Sequence, residues 1–194
     1  MDLAFSRQLL VEQISKYVPL EVNNSNLRLS AVMLLICEID QKDKLIFQSR
    51  SNYVRHHKGE ISLPGGAKDS NDTNLMATAL RETQEEIGVS AGMINIVGQL
   101  DDTETWTGYL IRPYVGLISN TEKIVFSLAE KEVVEILEIP IDYLLSNESK
   151  GWKMVNNQGV PSLEEGYIWG DHIIWGATAR IVRQFIDILY KDEN

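Results

Sequence analysis

Residues 63–89 read LPGGAKDSNDTNLMATALRETQEEIGV: a glycine pair, a polar turn and a segment with helical spacing. Apolar residues recur at intervals of three and four between residues 74 and 87, which predicts a helix there. Gly88 follows this segment at the position that a helix C-cap glycine takes. At about 100° per residue, the predicted core stripe of the helix consists of Met76, Leu80, Thr83 and Ile87.

Three glutamates share a different face of this predicted helix, and they are Glu82, Glu85 and Glu86. Their spacing makes the side chains neighbours, and each like-charge pair destabilises a helix by about a few tenths of a kcal/mol. The helix dipole also disfavours anions in the last turn. One explanation for this cluster of glutamates is a solvated acidic face of the helix. The other is a divalent-cation site, because Mg²⁺ binds oxygen ligands and commonly holds one or two carboxylates. Arg81 stands four residues before Glu85, where it can pair with that carboxylate.

The segments on either side of this stretch alternate between strand and helix patterns. Strands are predicted at residues 28–39, 44–50, 93–101, 108–118, 132–138, 152–156 and 166–170. Helices are predicted at residues 3–17 and 173–190, with a short helix that begins at Pro140. This order predicts an α+β fold, an α/β/α sandwich in which a mixed sheet packs between helices. We expect a single domain over residues 1–194, with residues 1–26 as an N-terminal helical extension.

The charge and the apolar pattern exclude several classes of partner. The chain has 194 residues and a formal net charge of −10. Such a charge repels a nucleic-acid backbone, so no nucleic-acid partner is expected. No apolar run approaches the roughly 18 residues of a membrane-spanning helix, and the N-terminus does not resemble a signal peptide. We therefore expect a cytoplasmic protein without a membrane partner. The single cysteine, Cys37, lies in an apolar run and is expected to be buried.

The glycine pair and the glutamates together resemble the box of the Nudix hydrolases. That box is a glycine, an acidic residue and then Arg-Glu-x-x-Glu-Glu-x-Gly, and its counterparts here are Gly66, Asp72 and RETQEEIG at residues 81–88. The spacing from Gly66 to Arg81 is one residue longer than in the commonest form of the box. Asp72 replaces a glutamate, and Thr83 replaces an aliphatic residue.

This resemblance, with its box at residues 66–89, extends over most of residues 28–185. It implies the Nudix fold and Mg²⁺ or Mn²⁺ as the cofactor. It also implies that the metal ligands are Glu82, Glu85 and Glu86. The catalytic residues would be these three glutamates and Arg81.

The longer box spacing resembles the Nudix subgroup that hydrolyses coenzyme A and its derivatives. The signature of that subgroup is an arginine, a glycine and then Phe-Pro-Gly-Gly, and the matching residues here are Arg55, Gly59 and residues 63–66. Leu63 departs from the signature by replacing the phenylalanine, and Arg50 departs by lying in its threonine-rich part. The segment RHHK at residues 55–58 is a basic cluster in an acidic chain, which suits the 3′-phosphate and diphosphate of coenzyme A.

We therefore expect substrate contacts from Arg55, His57, Gly65 and Gly66. For Arg55 the alternative is an ion pair with an acidic neighbour. The implied reaction is attack of water on one phosphorus of a P–O–P bridge, assisted by Mg²⁺ or Mn²⁺. Coenzyme A would yield adenosine 3′,5′-bisphosphate and 4′-phosphopantetheine.

Three features of the reaction stay open at the level of sequence. The general base is a box glutamate or one of Glu122, Glu130 and Glu132. The substrate can instead be ADP-ribose, a dinucleoside polyphosphate or a nucleoside triphosphate, with the same chemistry. The third alternative is a Nudix module that binds a small-molecule nucleotide without hydrolysing it.

Overall fold

The computed structural model describes residues 5–51, 59–118, 124–157 and 160–190. The helices are α1 (Arg7–Lys16), α2 (Leu75–Ile87), α3 (Ile141–Leu145) and α4 (Gly176–Leu189). The strands are β1 (Arg28–Ile39), β2 (Lys42–Arg50), β3 (Ile61–Ser62), β4 (Gly65–Ala67), β5 (Ile94–Gln99), β6 (Thr103–Glu104), β7 (Tyr109–Ile118), β8 (Val133–Pro140), β9 (Lys150–Asn157), β10 (Val160–Trp169) and β11 (His172–Ile174). Short 3₁₀ helices lie at Ala91–Met93 and Asn147–Ser149.

The central strand of the main sheet is β1, whose apolar run is buried almost without interruption. Such runs are typical of strands that are covered on both faces. β1 pairs in parallel with β7 and antiparallel with β2 and β4. The described strands of this sheet follow the path β3-β2-β1-β7-β5, with β4 on β1, β6 on β7 and β8 on β2. The sheet is therefore mixed, as predicted.

Two hydrophobic cores lie on opposite faces of this sheet, because side chains alternate between faces along a strand. Leu34 and Ile36 of β1 face a core that includes residues of α1, α3 and α4. Met33 and Leu35 face a second core, which packs against α2. Helices on both faces of a mixed sheet make the predicted α/β/α sandwich.

The C-terminal part differs from the prediction in its detail. β9 and β10 are longer than predicted, and with β11 they form a separate antiparallel three-stranded sheet. Ile173 and Ile174 belong to β11, so α4 begins at Gly176 rather than at residue 173. A short apolar run does not distinguish strand from helix by its periodicity, which explains the error.

The buried face of α2 also differs from the predicted stripe. Met76 is 37% exposed, whereas Leu75 and Ala79 are buried against the sheet. Thr83 is buried as predicted, and its hydroxyl donates to the Ala79 carbonyl at 2.7 Å. The buried face also includes the carboxyl-bearing Glu86, which the predicted apolar stripe omits.

Cys37 is fully buried in β1, as predicted, and burial raises the pKa of its thiol to about 12. Within the described ranges, no helix is both long enough and apolar enough to cross a membrane.

Candidate active site

Helix α2 is fixed at both ends by local contacts. The Asn74 side chain caps its first turn by accepting from the Ala77 amide at 2.8 Å. Gly88 ends the helix with φ +78°, a left-handed conformation that favours glycine. Beyond it, the amides of Ser127 and Ala129 donate to the carbonyls of the last helical turn, both at 3.0 Å. The end of the helix and the segment before β8 are thereby held together.

Glu86 points from α2 into the sheet, and its side chain is almost fully buried. Its Oε2 atom accepts from the Gly65 amide at 2.8 Å and from Gln48 Nε2 at 2.7 Å. Arg50 Nη1 lies 3.5 Å from the other oxygen, Oε1. Burial raises the pKa of Glu86 to about 7 although these three donors lower it, and the charge of Glu82 raises it further. A negative charge at this position is therefore costly without a compensating cation.

Glu82 lies one helical turn before Glu86 and is half-buried against the glycine pair. A Cβ atom at Gly66 would stand 2.5 Å from the Glu82 carboxyl carbon, so only glycine leaves room for this carboxylate. Burial raises the pKa of Glu82, the nearby Arg81 lowers it, and the charges of Glu85 and Glu132 raise it again. Glu132 therefore lies within electrostatic reach of the box carboxylates.

Arg81 connects the polar turn to the helix. It binds the buried Asp72 carboxylate through two hydrogen bonds, of 2.9 and 3.0 Å. It also pairs with Glu82 at 2.9 Å and with Glu85 at 2.8 Å, the second of which the sequence predicts. Glu85 is exposed and held by this pair, whereas Glu82 and Glu86 face the glycine turn. Arg81 thus joins the buried Asp72 to two of the three box carboxylates.

The two predicted substrate contacts in the basic cluster, Arg55 and His57, lie outside the described residues, and so does Glu122. The described residues that flank positions 52–58 lie near the carboxylates. The Gly59 amide donates to the Arg50 carbonyl at 3.0 Å, and the Arg50 amide donates to the Glu60 carbonyl at 3.0 Å. The Arg50 guanidinium itself approaches Glu86.

The donor chemistry fits a divalent cation. In the ranges that the structure describes, no three His, Cys, Asp or Glu side chains converge closely enough to hold an ion alone. Mg²⁺ does not require that, because it commonly takes one or two carboxylates and completes its shell with water and substrate phosphate. Glu82 and Glu86 supply two such carboxylates, and within the described part of the chain the buried amide oxygen of Gln48 has no hydrogen-bond partner. Nudix proteins generally use cations such as Mg²⁺ or Mn²⁺.

The sequence analysis does not predict that Gln48 and Arg50 contact Glu86. Both residues lie in β2, and Gln48 is 38 positions before Glu86 in the sequence. A usable signal was the alternation of β2, in which residues 46, 48 and 50 share one face. A glutamine at such a position, next to a buried isoleucine, indicates a polar partner in the facing layer.

The sandwich, with a carboxylate helix facing a glycine turn, is the Nudix fold. The sequence profile of the NUDIX domain matches residues 27–174, and the chain therefore belongs to the Nudix family. The uncharacterized Nudix hydrolase NudL of Photorhabdus laumondii is 32% identical over 166 residues, covering 86% of this chain and 87% of that protein. NudL of Yersinia enterocolitica is also 32% identical, covering 83% of this chain and 81% of its own length.

Solved structures show the same fold at lower sequence identity. A MutT/nudix family protein from Enterococcus faecalis superposes with a TM-score of 0.57 at 16% identity, covering 96% of this chain and 70% of that one. MutT protein from Methanosarcina mazei Go1 gives 0.55 at 17% identity, covering 92% and 100%. The NUDIX domain of Shewanella oneidensis NrtR, crystallised with ADP ribose, gives 0.50 at 22% identity, covering 63% and 78%. These likenesses concern the fold alone.

Proposed function

We propose that this chain hydrolyses the pyrophosphate linkage of coenzyme A or its derivatives in a reaction that depends on Mg²⁺ or Mn²⁺. The observation that carries the proposal is the placement of two carboxylates, Glu82 and Glu86, against the turn formed by Gly65 and Gly66. Family membership supports pyrophosphate hydrolysis as the general activity. Coenzyme A as the substrate rests on the residues before the box.

In the proposed mechanism, Glu82 and Glu86 would hold the cation, and Glu85 is the third candidate ligand. When bound, the cation neutralises charge on the non-bridging phosphate oxygens. Arg81 keeps the box carboxylates in place through its contacts with Asp72 and Glu82. Fixed positioning of this kind accounts for much of phosphoryl-transfer catalysis, since the protein contributes little covalent chemistry.

The reaction transfers one phosphoryl group to water. An oxygen–phosphorus bond forms to the attacking water, the bond from that phosphorus to the bridging oxygen breaks, and the second phosphate leaves with the bridging oxygen. A general base accepts the proton of the water. Outside the box, Glu130 and Glu132 are both exposed, and the charge of Glu132 is one of the influences that raise the pKa of Glu82. This influence supports Glu132 as the first base candidate outside the box.

The choice of coenzyme A rests on the sequence between β2 and β3. Its signature residues are Arg55 and Gly59, and the residues that flank positions 52–58 are joined by hydrogen bonds at Arg50, whose guanidinium approaches Glu86. Because these flanking residues lie beside the carboxylates, the basic residues 55–58 are proposed to bind the phosphates of a substrate whose pyrophosphate lies at the cation. In a chain of net charge −10, such a local cluster is needed to attract an anionic metabolite.

The substrate proposal is tested by a panel of coenzyme A, acetyl-coenzyme A, ADP-ribose and diadenosine polyphosphates, each incubated with Mg²⁺ or Mn²⁺. We expect coenzyme A to be turned over at least about tenfold faster than the other classes, a margin of about 1.4 kcal/mol. Mass spectrometry should identify adenosine 3′,5′-bisphosphate and 4′-phosphopantetheine. A preference for ADP-ribose would refute coenzyme A as the substrate, and no turnover of any compound would refute the hydrolase.

Glu86→Gln tests the role of the buried carboxylate. We expect turnover to fall by at least about a hundredfold, equivalent to about 2.7 kcal/mol of transition-state stabilisation, because the cation loses a charged ligand. Glu12→Gln is the matched control, since Glu12 is an exposed residue of α1 that pairs with Lys16. A folded Glu86→Gln variant with near-normal turnover would remove Glu86 from the mechanism.

A further inference from the structure

Gln48 is a fully buried polar residue in the middle of the main sheet. It follows Phe47 in β2, and its side chain points to the face that packs against α2. Its neighbours along that face are Ile46, which is part of the core under α2, and Arg50. A glutamine at such a position is rare unless its amide has a specific partner.

That partner is the carboxylate of Glu86. Gln48 Nε2 donates to Glu86 Oε2 at 2.7 Å, and the Gly65 amide donates to the same oxygen at 2.8 Å. Because an ionised carboxylate only accepts hydrogen bonds, the nitrogen of the amide is the atom that faces Glu86 in its charged form. Two short hydrogen bonds therefore fix Oε2, whereas Oε1 has the Arg50 guanidinium at 3.5 Å.

Among the residues that the structure describes, the buried Oε1 atom of the Gln48 amide has no hydrogen-bond partner. The same is true of the hydroxyl oxygen of Ser62, the residue paired with Gln48 across β2 and β3. A buried polar atom without a partner destabilises a fold. If Gln48 served the core alone, an apolar side chain of the same size would avoid that cost.

We infer that Gln48 is a positioning residue for cation binding, an inference that rests on the proposed function. By holding Glu86 Oε2 together with the Gly65 amide, it would fix the orientation of the carboxylate that is to hold the cation. Hydrogen bonds from a second layer of residues orient metal ligands in this way and affect metal affinity strongly.

The test compares Gln48→Met with the wild type. Methionine has nearly the same length and volume, but it cannot donate a hydrogen bond to the carboxylate. Mn²⁺ binding is measured by titration calorimetry on the substrate-free protein, together with thermal unfolding in the absence of metal. We expect Gln48→Met to weaken Mn²⁺ binding by about tenfold or more.

Ser62→Ala is the matched control. Ser62 lies directly across from Gln48, and its hydroxyl has no partner among the described residues, so its removal should leave Mn²⁺ affinity within about twofold of the wild type. A second variant, Gln48→Asn, keeps the amide but is one methylene shorter and cannot reach Glu86 at the same distance. It should weaken Mn²⁺ binding as Gln48→Met does, and it replaces that variant if methionine prevents folding.

The outcomes separate the inference from the proposed function. Absence of Mn²⁺ binding by the wild type contradicts the proposed function itself. Binding by the wild type with equal affinity in both Gln48 variants overturns the inference. A lower melting temperature with unchanged Mn²⁺ affinity also overturns it, because the role of Gln48 is then structural only.

Discussion

Asp72 is buried in the turn before α2 and has three kinds of hydrogen-bond donor. They are the Arg81 guanidinium, the Thr78 hydroxyl at 2.9 Å and the Asp69 amide at 2.9 Å. The hydrogen bonds from Arg81 are the main reason why the pKa of Asp72 lies well below its usual range, although burial opposes that shift. The charged carboxylate therefore stabilises the turn that places the glycine pair.

Asp72→Asn should destabilise the protein at pH 7 by about 2 kcal/mol, because Arg81 loses its buried counter-ion. The pH dependence has a defined sign. A carboxyl whose pKa is lower in the folded than in the unfolded state stabilises above its unfolded value of about 3.9, and this contribution is lost progressively as the pH falls from that value through the folded-state pKa. Urea unfolding at pH 7 and at pH 3.5 should show that the difference between wild type and variant shrinks in acid.

Asp171→Asn is the control for this comparison, since Asp171 is exposed in the turn between β10 and β11. Its effect should stay within about 0.5 kcal/mol at both pH values. An Asp72→Asn variant as stable as the wild type at pH 7 contradicts the assigned role.

At this scale the sequence indicates the carboxylates of the box but not all of their partners. Glu82, Glu85 and Glu86 are neighbours because of helical spacing alone, which is a local property. Gln48 and Glu86 are 38 positions apart in the sequence. No local pattern specifies which face of β2 packs against which face of α2. Arg55 and His57 stay predictions.

Helix α2 and the segment that follows its end act as one unit. Gly88 combines a positive φ with close approach, since a Cβ atom there would lie 2.7 Å from Ser127 Cβ and 2.9 Å from Ser127 N. That approach lets Ser127 donate to the Ile87 carbonyl. The same segment leads to Glu132, so the geometry at the end of the helix also affects the position of the general-base candidate.

Gly88→Ala should lower the free energy of unfolding by about 1–3 kcal/mol, because alanine is strained at this φ and its methyl group displaces Ser127. Chemical denaturation measures the change. Gly92→Ala serves as the control: Gly92 has open space where a Cβ would lie and no positive φ, so its replacement should be neutral or slightly stabilising. Equal stability of the two variants would refute this explanation for Gly88.

The elements themselves could be predicted where their signals are local. The end of α2 at Ile87 follows from Gly88, and the start of α3 after Pro140 follows from the fixed φ of proline. The three-stranded sheet could not be predicted in full, because β11 has only three residues and its apolar pair also fits a helix.

In the whole molecule, α1 is part of the core beside α4. Leu10 and Ile14 are fully buried there, although both belong to the predicted N-terminal extension. Asp101 strengthens the connection by accepting from the Tyr17 hydroxyl at 2.8 Å and from the Leu20 amide at 2.7 Å. We propose that residues 1–26 fold together with the rest of the chain as a single domain.

Leu10→Ala should lower the free energy of unfolding by about 2–4 kcal/mol, because it leaves a cavity between α1 and α4. Val11→Ala, at the next position of the same helix, should cost less than about 1 kcal/mol because Val11 is 43% exposed. Thermal unfolding of the two variants should follow a single transition if the extension belongs to the domain. A loss confined to a separate early transition would show that α1 folds independently.

The parallel pairing of β1 with β7 has a consequence for biosynthesis. Arg28 and Tyr109, which meet at the start of that pairing, are 81 positions apart, and the whole box lies between them. A ribosome must therefore translate well past the glutamates before the middle of the sheet can close. The nascent polypeptide therefore carries the box carboxylates before the sheet that positions them has formed. The long sequence separation between β1 and β7 also slows folding.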